Sequence, residues 1–298
     1  MINTNSSPYF FGSLVKTIDE ANLCTIGLKW DDSASFRKGA KNAPDSIRNA
    51  TTNLLYNYFT ESGTNIKDKW KIFDYGNIEL NGRDAEIARN NVYTSVREIY
   101  SSQRKYLFLG GDHLITYFTF WSLYHISGKR LGLLYLDAHP DLYEQYDGNK
   151  YSHACVVSRI IQEANIDPKT ILEIGIRAHT PEQLSSAHRQ GIKIISSKGL
   201  HEHGPKKVAE IVKNEFSKSL DGIYLSIDMD LLDPAYAPGV SNPEPGGLST
   251  RELIDFIQYL SGLNIIAFDL VEHNPQFDTS NITAYSSAKI IKEVLGIL

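Results

Sequence analysis

Cysteine is scarce in this chain. Cys24 and Cys155 are the only two among 298 residues, so no disulfide framework holds the fold and a packed core must do so. Basic residues are not in surplus either. Lys and Arg number 30 against 35 Asp and Glu, a formal net charge of -5, which excludes the basic stripe of a nucleic-acid binder. No apolar run approaches the ~18 residues that a membrane helix needs. Repeats, linkers and low-complexity tracts are lacking, which excludes solenoids and disordered tails. Residues 1–11 show no basic stretch followed by an apolar one, so no signal peptide is expected and a cytoplasmic protein follows. What is present is a chain 42% hydrophobic and 11% aromatic, ample material for a buried core.

Short apolar runs at 23–28, 71–75, 106–109, 131–136, 171–176, 192–195, 222–227 and 265–270 read as strands. Most are continuous rather than alternating, as expected of strands covered on both faces. Cys24 lies in the first and reads as a small core residue. Between the strands, helical spacing is found at 84–100, 116–125 and 205–216. Ser249 or Thr250 caps a further helix, and the chain ends in one after Asn281. Strand alternating with helix predicts an α/β fold: a three-layer αβα arrangement with a mostly parallel, about eight-stranded sheet, in one domain over 1–298. In such sheets ligands bind at the carboxyl ends of the strands.

Four strands run straight into acids or histidines. The run at 106–109 leads to Gly110-Gly111-Asp112-His113, and 131–136 leads to Asp137-Ala138-His139-Pro140-Asp141. The run at 222–227 leads to Asp228-Met229-Asp230 and then Asp233-Pro234, and 265–270 leads to Glu272 and His273. Asp137, His139 and Asp141 are spaced by two, so an extended strand end would put them on one face. Taken singly, each cluster has a plain reading as a turn, a helix cap or a surface histidine. Together, at the ends of separate apolar strands, they put four carboxylates and two imidazoles (His113, Asp137, His139, Asp141, Asp228, Asp230) where only cations relieve their repulsion. Six ligands suit two metal ions. Oxygen and imidazole donors without thiolate favour Mn²⁺, with Ni²⁺ and other divalent metals also compatible. Two such ions ~3.5–4 Å apart can hold a hydroxide between them.

At these residues the sequence resembles the ureohydrolase family, which includes arginase and agmatinase. Gly-Gly-Asp-His, Asp-Ala-His-x-Asp and Ser-x-Asp-x-Asp-x-x-Asp-Pro occur in that order. Phe36-Arg37-Lys38-Gly39, Ala43-Pro44-Asp45-Ser46-Ile47-Arg48 and Pro243-Glu244-Pro245-Gly246-Gly247-Leu248 extend the likeness. The resemblance implies that His113, Asp137, Asp141 and Asp228 hold one manganese and that Asp137, His139, Asp228 and Asp230 hold the other. Asp137 and Asp228 would bridge, and Asp141 would also orient the hydroxide. It implies that His153, in Tyr151-Ser152-His153-Ala154-Cys155, passes a proton to the leaving amine, with Ala154 standing where the family has Gly. Glu272 would pair with the guanidinium. Asp233 reads as structural and Cys155 as packing. A homo-oligomer, trimer or hexamer, is expected by analogy.

The reaction implied is hydrolysis of a guanidino compound to urea and an amine. Arginases follow the Asp-Ala-His-x-Asp motif with Ile-Asn and a Ser/Thr-rich loop; here it continues Leu142-Tyr143-Glu144-Gln145-Tyr146-Asp147-Gly148-Asn149. Tyr143 replaces the Asn, and an acidic, aromatic loop suits a cationic tail. Agmatine, giving urea and putrescine, is therefore the expected substrate, with Tyr143, Asn149 and Ser152 as candidate tail contacts. Arginine, guanidinobutyrate and guanidine are the alternatives, and a non-catalytic homologue is a more distant one.

Overall fold

The computed structural model describes residues 13–51, 57–82, 84–216 and 220–298; the residues 1–11 read above for a signal peptide lie outside them. The described strands are β1 (Ser13–Leu14), β2 (Leu23–Lys29), β3 (Lys71–Glu79), β4 (Lys105–Leu109), β5 (Leu131–Leu136), β6 (Ile171–Ile176), β7 (Lys193–Ser196), β8 (Gly222–Asp228) and β9 (Ile265–Val271). They form one sheet in the order β1-β3-β2-β4-β9-β8-β5-β6-β7. Every pairing is parallel. Eight of these strands coincide with the apolar runs; the ninth, β1, is a two-residue edge strand.

The helices among the described residues are α1 (Ala43–Asn49), α2 (Ile66–Lys69), α3 (Ala85–Ile99), α4 (Leu114–Ser127), α5 (Val156–Arg159), α6 (Pro181–Gln190), α7 (Ser197–Phe216), α8 (Thr250–Tyr259) and α9 (Ile282–Ile297). They cover both faces of the sheet. Ile47, Leu200, Val208, Phe256, Ile290 and Val294 pack on one face. Val92, Val96, Leu114, Phe118 and Ile160 pack on the other. Each apolar side chain so buried contributes about 1.5–3 kcal/mol, and burial on both faces is what lets the strand sequences run apolar without alternation.

Local chemistry sets the helix ends. Asp84 accepts from the Glu86 and Ile87 amides and starts α3. Ser249 and Glu252 form a reciprocal capping box at α8, as Thr180 and Gln183 do at α6. α7 extends on both sides of Pro205, broken at Gly204 where φ is 78°; the proline opens the second segment, where its missing N–H costs nothing. Arg48, at the end of α1, donates from Nε and Nη2 to both oxygens of Asp74 at 2.9 and 2.7 Å, tying that helix to β3.

β4, β9, β8 and β5 are the central neighbours, so their carboxyl ends lie side by side. The chain leaving β4 passes against the end of β2 at Gly111. A Cβ there would stand 1.8 Å from the Trp30 carbonyl oxygen, a backbone atom that cannot swing away. Gly111→Ala is expected to cost roughly 2–3 kcal/mol of folding stability, read as a lowered midpoint in urea; an unchanged midpoint would show that this approach is not tight.

Candidate metal centre and active site

His113 lies four residues beyond the end of β4, and its ring meets side chains from the ends of β5 and β8. Nδ1 is 2.9 Å from Asp137 Oδ2 and 2.9 Å from Asp228 Oδ2, and 3.7 Å from Asp141 Oδ2. His139 Nδ1 is 3.4 Å from Asp137 Oδ1 and 3.1 Å from Asp230 Oδ2. Two groups therefore form, His113 with Asp137 and Asp141, and Asp137 with His139 and Asp230, each with ligand atoms within 4.8 Å of one another. Asp137 belongs to both.

The convergence does not come from strand alternation. β5 stops at Leu136, and residues 137–141 form a loop. Asp141 returns to the cluster because its backbone turns left-handed, with φ 46°, a conformation that costs an ordinary side chain about 1 kcal/mol or more. Asp228 is the last residue of β8, and its carboxylate accepts from the Asp230 amide at 2.7 Å, which winds Met229–Leu231 into one 3-10 turn. The Asp137 carboxylate caps its own loop in the same way, accepting from the His139 amide at 2.6 Å.

Buried hydroxyls orient His113. Ser226 Oγ donates to Asp269 Oδ1 at 2.7 Å, and Thr116 and Tyr224 donate to the other oxygen of Asp269. With its proton spent there, Ser226 accepts from His113 Nε2 at 2.9 Å. Nδ1 is then left for the carboxylate cluster, the arrangement by which an outer partner fixes a ligand's tautomer. Tyr135 stacks on the ring at 4.5 Å and donates to Asp141 Oδ2 at 2.7 Å.

The donor set fits divalent cations. Four acids share the cluster, and no Lys or Arg side chain pairs with their carboxylates among the described residues. Asp137 Oδ2 is buried beside His113 Nδ1 at 2.9 Å but receives no well-aligned hydrogen bond among the described residues, a state that a cation would relieve. Burial and the Asp137 charge push Asp141 up to about 7. Burial and the Asp230 charge push Asp228 well up. Burial opposes charge on His113, but its bonds to Asp137 and Asp228 outweigh this and raise it well above the usual histidine range. In the absence of metal, these shifts favour the protonated forms of Asp141, Asp228 and His113, while burial of Asp137 is outweighed by the neighbouring histidines, which hold it low.

Glu272 follows β9 in a left-handed turn, φ 62°. Its Oε1 accepts from the His113 amide and from His153 Nδ1, both at 2.8 Å. Its Oε2 is buried with no hydrogen-bond partner among the described residues. Burial disfavours a charged His153, but the neighbouring Glu272 carboxylate outweighs it and raises the ring to about 9. His153, Glu272 and the six candidate ligands line one cavity of about 360 Å³, together with Tyr143.

Asn149 and Ser152 do not line it. Asn149 sits in a turn that follows Asp147 and Gly148, both at positive φ, and its side chain accepts from the Tyr151 amide. Ser152 is buried and caps the short turn at His153. The loop acids do not line it either; Glu144 reaches Gln162 and Arg159 instead. Ser35, Tyr146, His179, Thr180, Gln183 and Asn242 do line it, and sequence reasoning missed them. The Thr180–Gln183 capping box was the readable signal for two of these. Asp233 lies off the cluster and accepts from the Gly246 and Gly247 amides, closing the 233–247 loop.

A parallel sheet of nine described strands, with a carboxylate–imidazole cluster that could hold metal at its strand tips, defines the class: an α/β protein with a candidate metal centre. The Arginase family model matches residues 21–296. Among similar proteins are mitochondrial arginase 1 of Oryza sativa, 33% identical across 92% of this chain and 81% of that protein, and the agmatinase of Chromobacterium violaceum, 29% identical across 95% and 85%. The solved proclavaminate amidinohydrolase of Streptomyces clavuligerus superposes with a TM-score of 0.87 at 28% identity, covering 97% of this chain and 96% of that one. The chain belongs to the arginase family. It is an amidinohydrolase, acting on the C–N bonds of guanidino compounds.

Because protonated groups must lose their protons to hold a metal, apparent affinity should rise with pH. Between pH 6 and 7 the gain should be about tenfold for each proton displaced, measured by chelator competition. A flat profile would mean that the site is already deprotonated without metal.

Proposed function

We propose that this chain releases urea from a guanidino compound, with agmatine the first substrate to test and putrescine the amine formed. The observation that carries the reaction is Glu272 Oε2, a buried acceptor with no partner among the described residues, in a residue that lines the same cavity as the acid–imidazole cluster. A planar guanidinium supplies the N–H donors that such an oxygen lacks.

His113, Asp137, Asp141 and Asp228 would hold one ion and Asp137, His139, Asp228 and Asp230 the other, with manganese suited to the donors. A bound metal pair supplies an activated water near neutral pH. The remaining work falls to the chain's own groups. Glu272 binds the guanidinium and sets its carbon over the cluster. Asp141 orients the nucleophile, and His153, beside Glu272, gives the leaving amine its proton. Residues 1–298 act as one domain, in a homo-oligomer of the trimeric or hexameric kind, in the cytoplasm.

Support for agmatine comes from the aromatic half of the 143–149 loop alone. Tyr143 and Tyr146 stand on the cavity wall, their rings 5.4 Å apart, where an alkylammonium tail can lie against a π face. The relatives do not choose among tails, since arginase, agmatinase and proclavaminate amidinohydrolase match at similar identity.

Urea release from agmatine, arginine, guanidinobutyrate and guanidine, with manganese and then nickel, tests the reading; agmatine should give the highest kcat/KM. Inertness toward all four after metal loading would overturn it. Glu272→Ala should keep both ions and lose roughly 100-fold or more in kcat/KM. Asp137→Asn should lose metal and activity together. Two ions retained at full occupancy in that variant would contradict the ligand assignment.

A further inference from the structure

We propose that the hydroxyl of Ser35 relays protons between solvent and His153, a role that rests on the amidinohydrolase reading above. His153 is only 7% exposed, and both ring nitrogens are engaged. Nδ1 meets Glu272 Oε1 at 2.8 Å. Nε2 accepts the Ser35 backbone N–H at 3.1 Å and lies 2.7 Å from Ser35 Oγ. A backbone N–H can only donate, so this geometry holds the neutral ring, with a lone pair on Nε2 and the proton on Nδ1; the pull of Glu272 toward a charged ring acts at Nδ1, which already carries its proton. The Ser35 hydroxyl then donates to that lone pair as well. Glu272 is buried, whereas Ser35 is exposed at the cavity wall. Ser35 is therefore the ring's solvent-exposed hydrogen-bond partner.

The proton count closes. As the leaving amine takes the Nδ1 proton, the Ser35 O–H bond breaks and an N–H bond forms at Nε2. Ser35 recovers a proton from a water molecule or a buffer acid. Ring reorientation resets the tautomer, bringing the protonated nitrogen back to Glu272, and the charge of the ring is unchanged over the cycle.

The relay is held rigidly. Ser33 donates from its amide and its hydroxyl to Asp112 at 3.0 and 2.8 Å. Gly39 N–H and the Asn81 amide both bond Asp31, at 2.8 and 2.6 Å. The His153 amide donates to the Ser33 carbonyl at 3.2 Å, so histidine and loop are tied at backbone as well as side chain. Asp112 of the Gly-Gly-Asp-His motif thus has work distinct from metal binding: it anchors the loop that carries Ser35.

The test compares wild type, Ser35→Ala and Ser35→Thr, all loaded with manganese. Ser35→Ala should keep its metal content and a KM within about twofold, and lose roughly 10- to 100-fold in kcat. Added imidazole buffer should restore its kcat with increasing concentration and leave wild type unmoved, and Ser35→Thr should keep most of the activity. In the metal-free proteins, where no paramagnetic ion broadens it, the ¹⁵N resonance of His153 Nε2 should shift in Ser35→Ala and not in Ser35→Thr. Wild-type kcat in Ser35→Ala, a loss that neither buffer nor threonine repairs, or an unmoved Nε2 resonance would overturn the relay. A wild type inert toward every guanidino compound would instead overturn the amidinohydrolase reading, and the resonance would still decide whether Ser35 holds Nε2.

Discussion

Asp137, Asp141, Asp228 and Asp230 are nearly without exposure and share one small cluster at the end of the sheet. Two unit charges of like sign about 4 Å apart repel by about 4 kcal/mol at an effective dielectric of ~20. A few such pairs equal the whole net stability of a typical domain, about 5–15 kcal/mol. The chain can bury them only with positive charge among them, from protons or from metal. The other features of the site follow from that constraint. His113 is oriented through Ser226 and Asp269, so that its other nitrogen, Nδ1, faces the acids. Asp141 accepts a left-handed backbone to reach them. Tyr135 donates to the oxygen that would otherwise lack a partner on that side.

A parallel sheet is suited to hold such a cluster. Strands covered on both faces are rigid and deliver their last residues to one edge, where loops need only short turns to finish the geometry. β4, β9, β8 and β5 are adjacent there although they are far apart in the chain. The left-handed turns at Asp141 and Glu272 occur in the loops, where strain is tolerable because the sheet beneath is over-determined.

Much of this was legible in the sequence, for physical reasons. Strands buried on both faces must be written as continuous apolar runs, and eight of them were readable as such. The acids and histidines stood out because they follow those runs directly. Other parts left no such trace. α6 buries only Gln183 and Ala187, so it shows no apolar stripe, and only its capping residues mark it. The turn at Asp147 and Gly148 sends Asn149 away from the cavity, a direction that depends on two backbone angles rather than on residue type. Ser35 sits on a wall brought to His153 by Asp112 and Asp31, contacts between segments remote in sequence that no local pattern records. Spacing by two suggested a strand face for Asp137, His139 and Asp141, whereas a loop with one positive φ gathers them.

The central claim is that the buried acids enclose a pair of metal ions. Its most direct measurement is anomalous X-ray scattering at the manganese edge from crystals grown with manganese. The account predicts two peaks ~3.5–4 Å apart, one beside His113 and Asp141, the other beside His139 and Asp230, with Asp137 and Asp228 between them. A single peak, or peaks remote from these side chains, would contradict it.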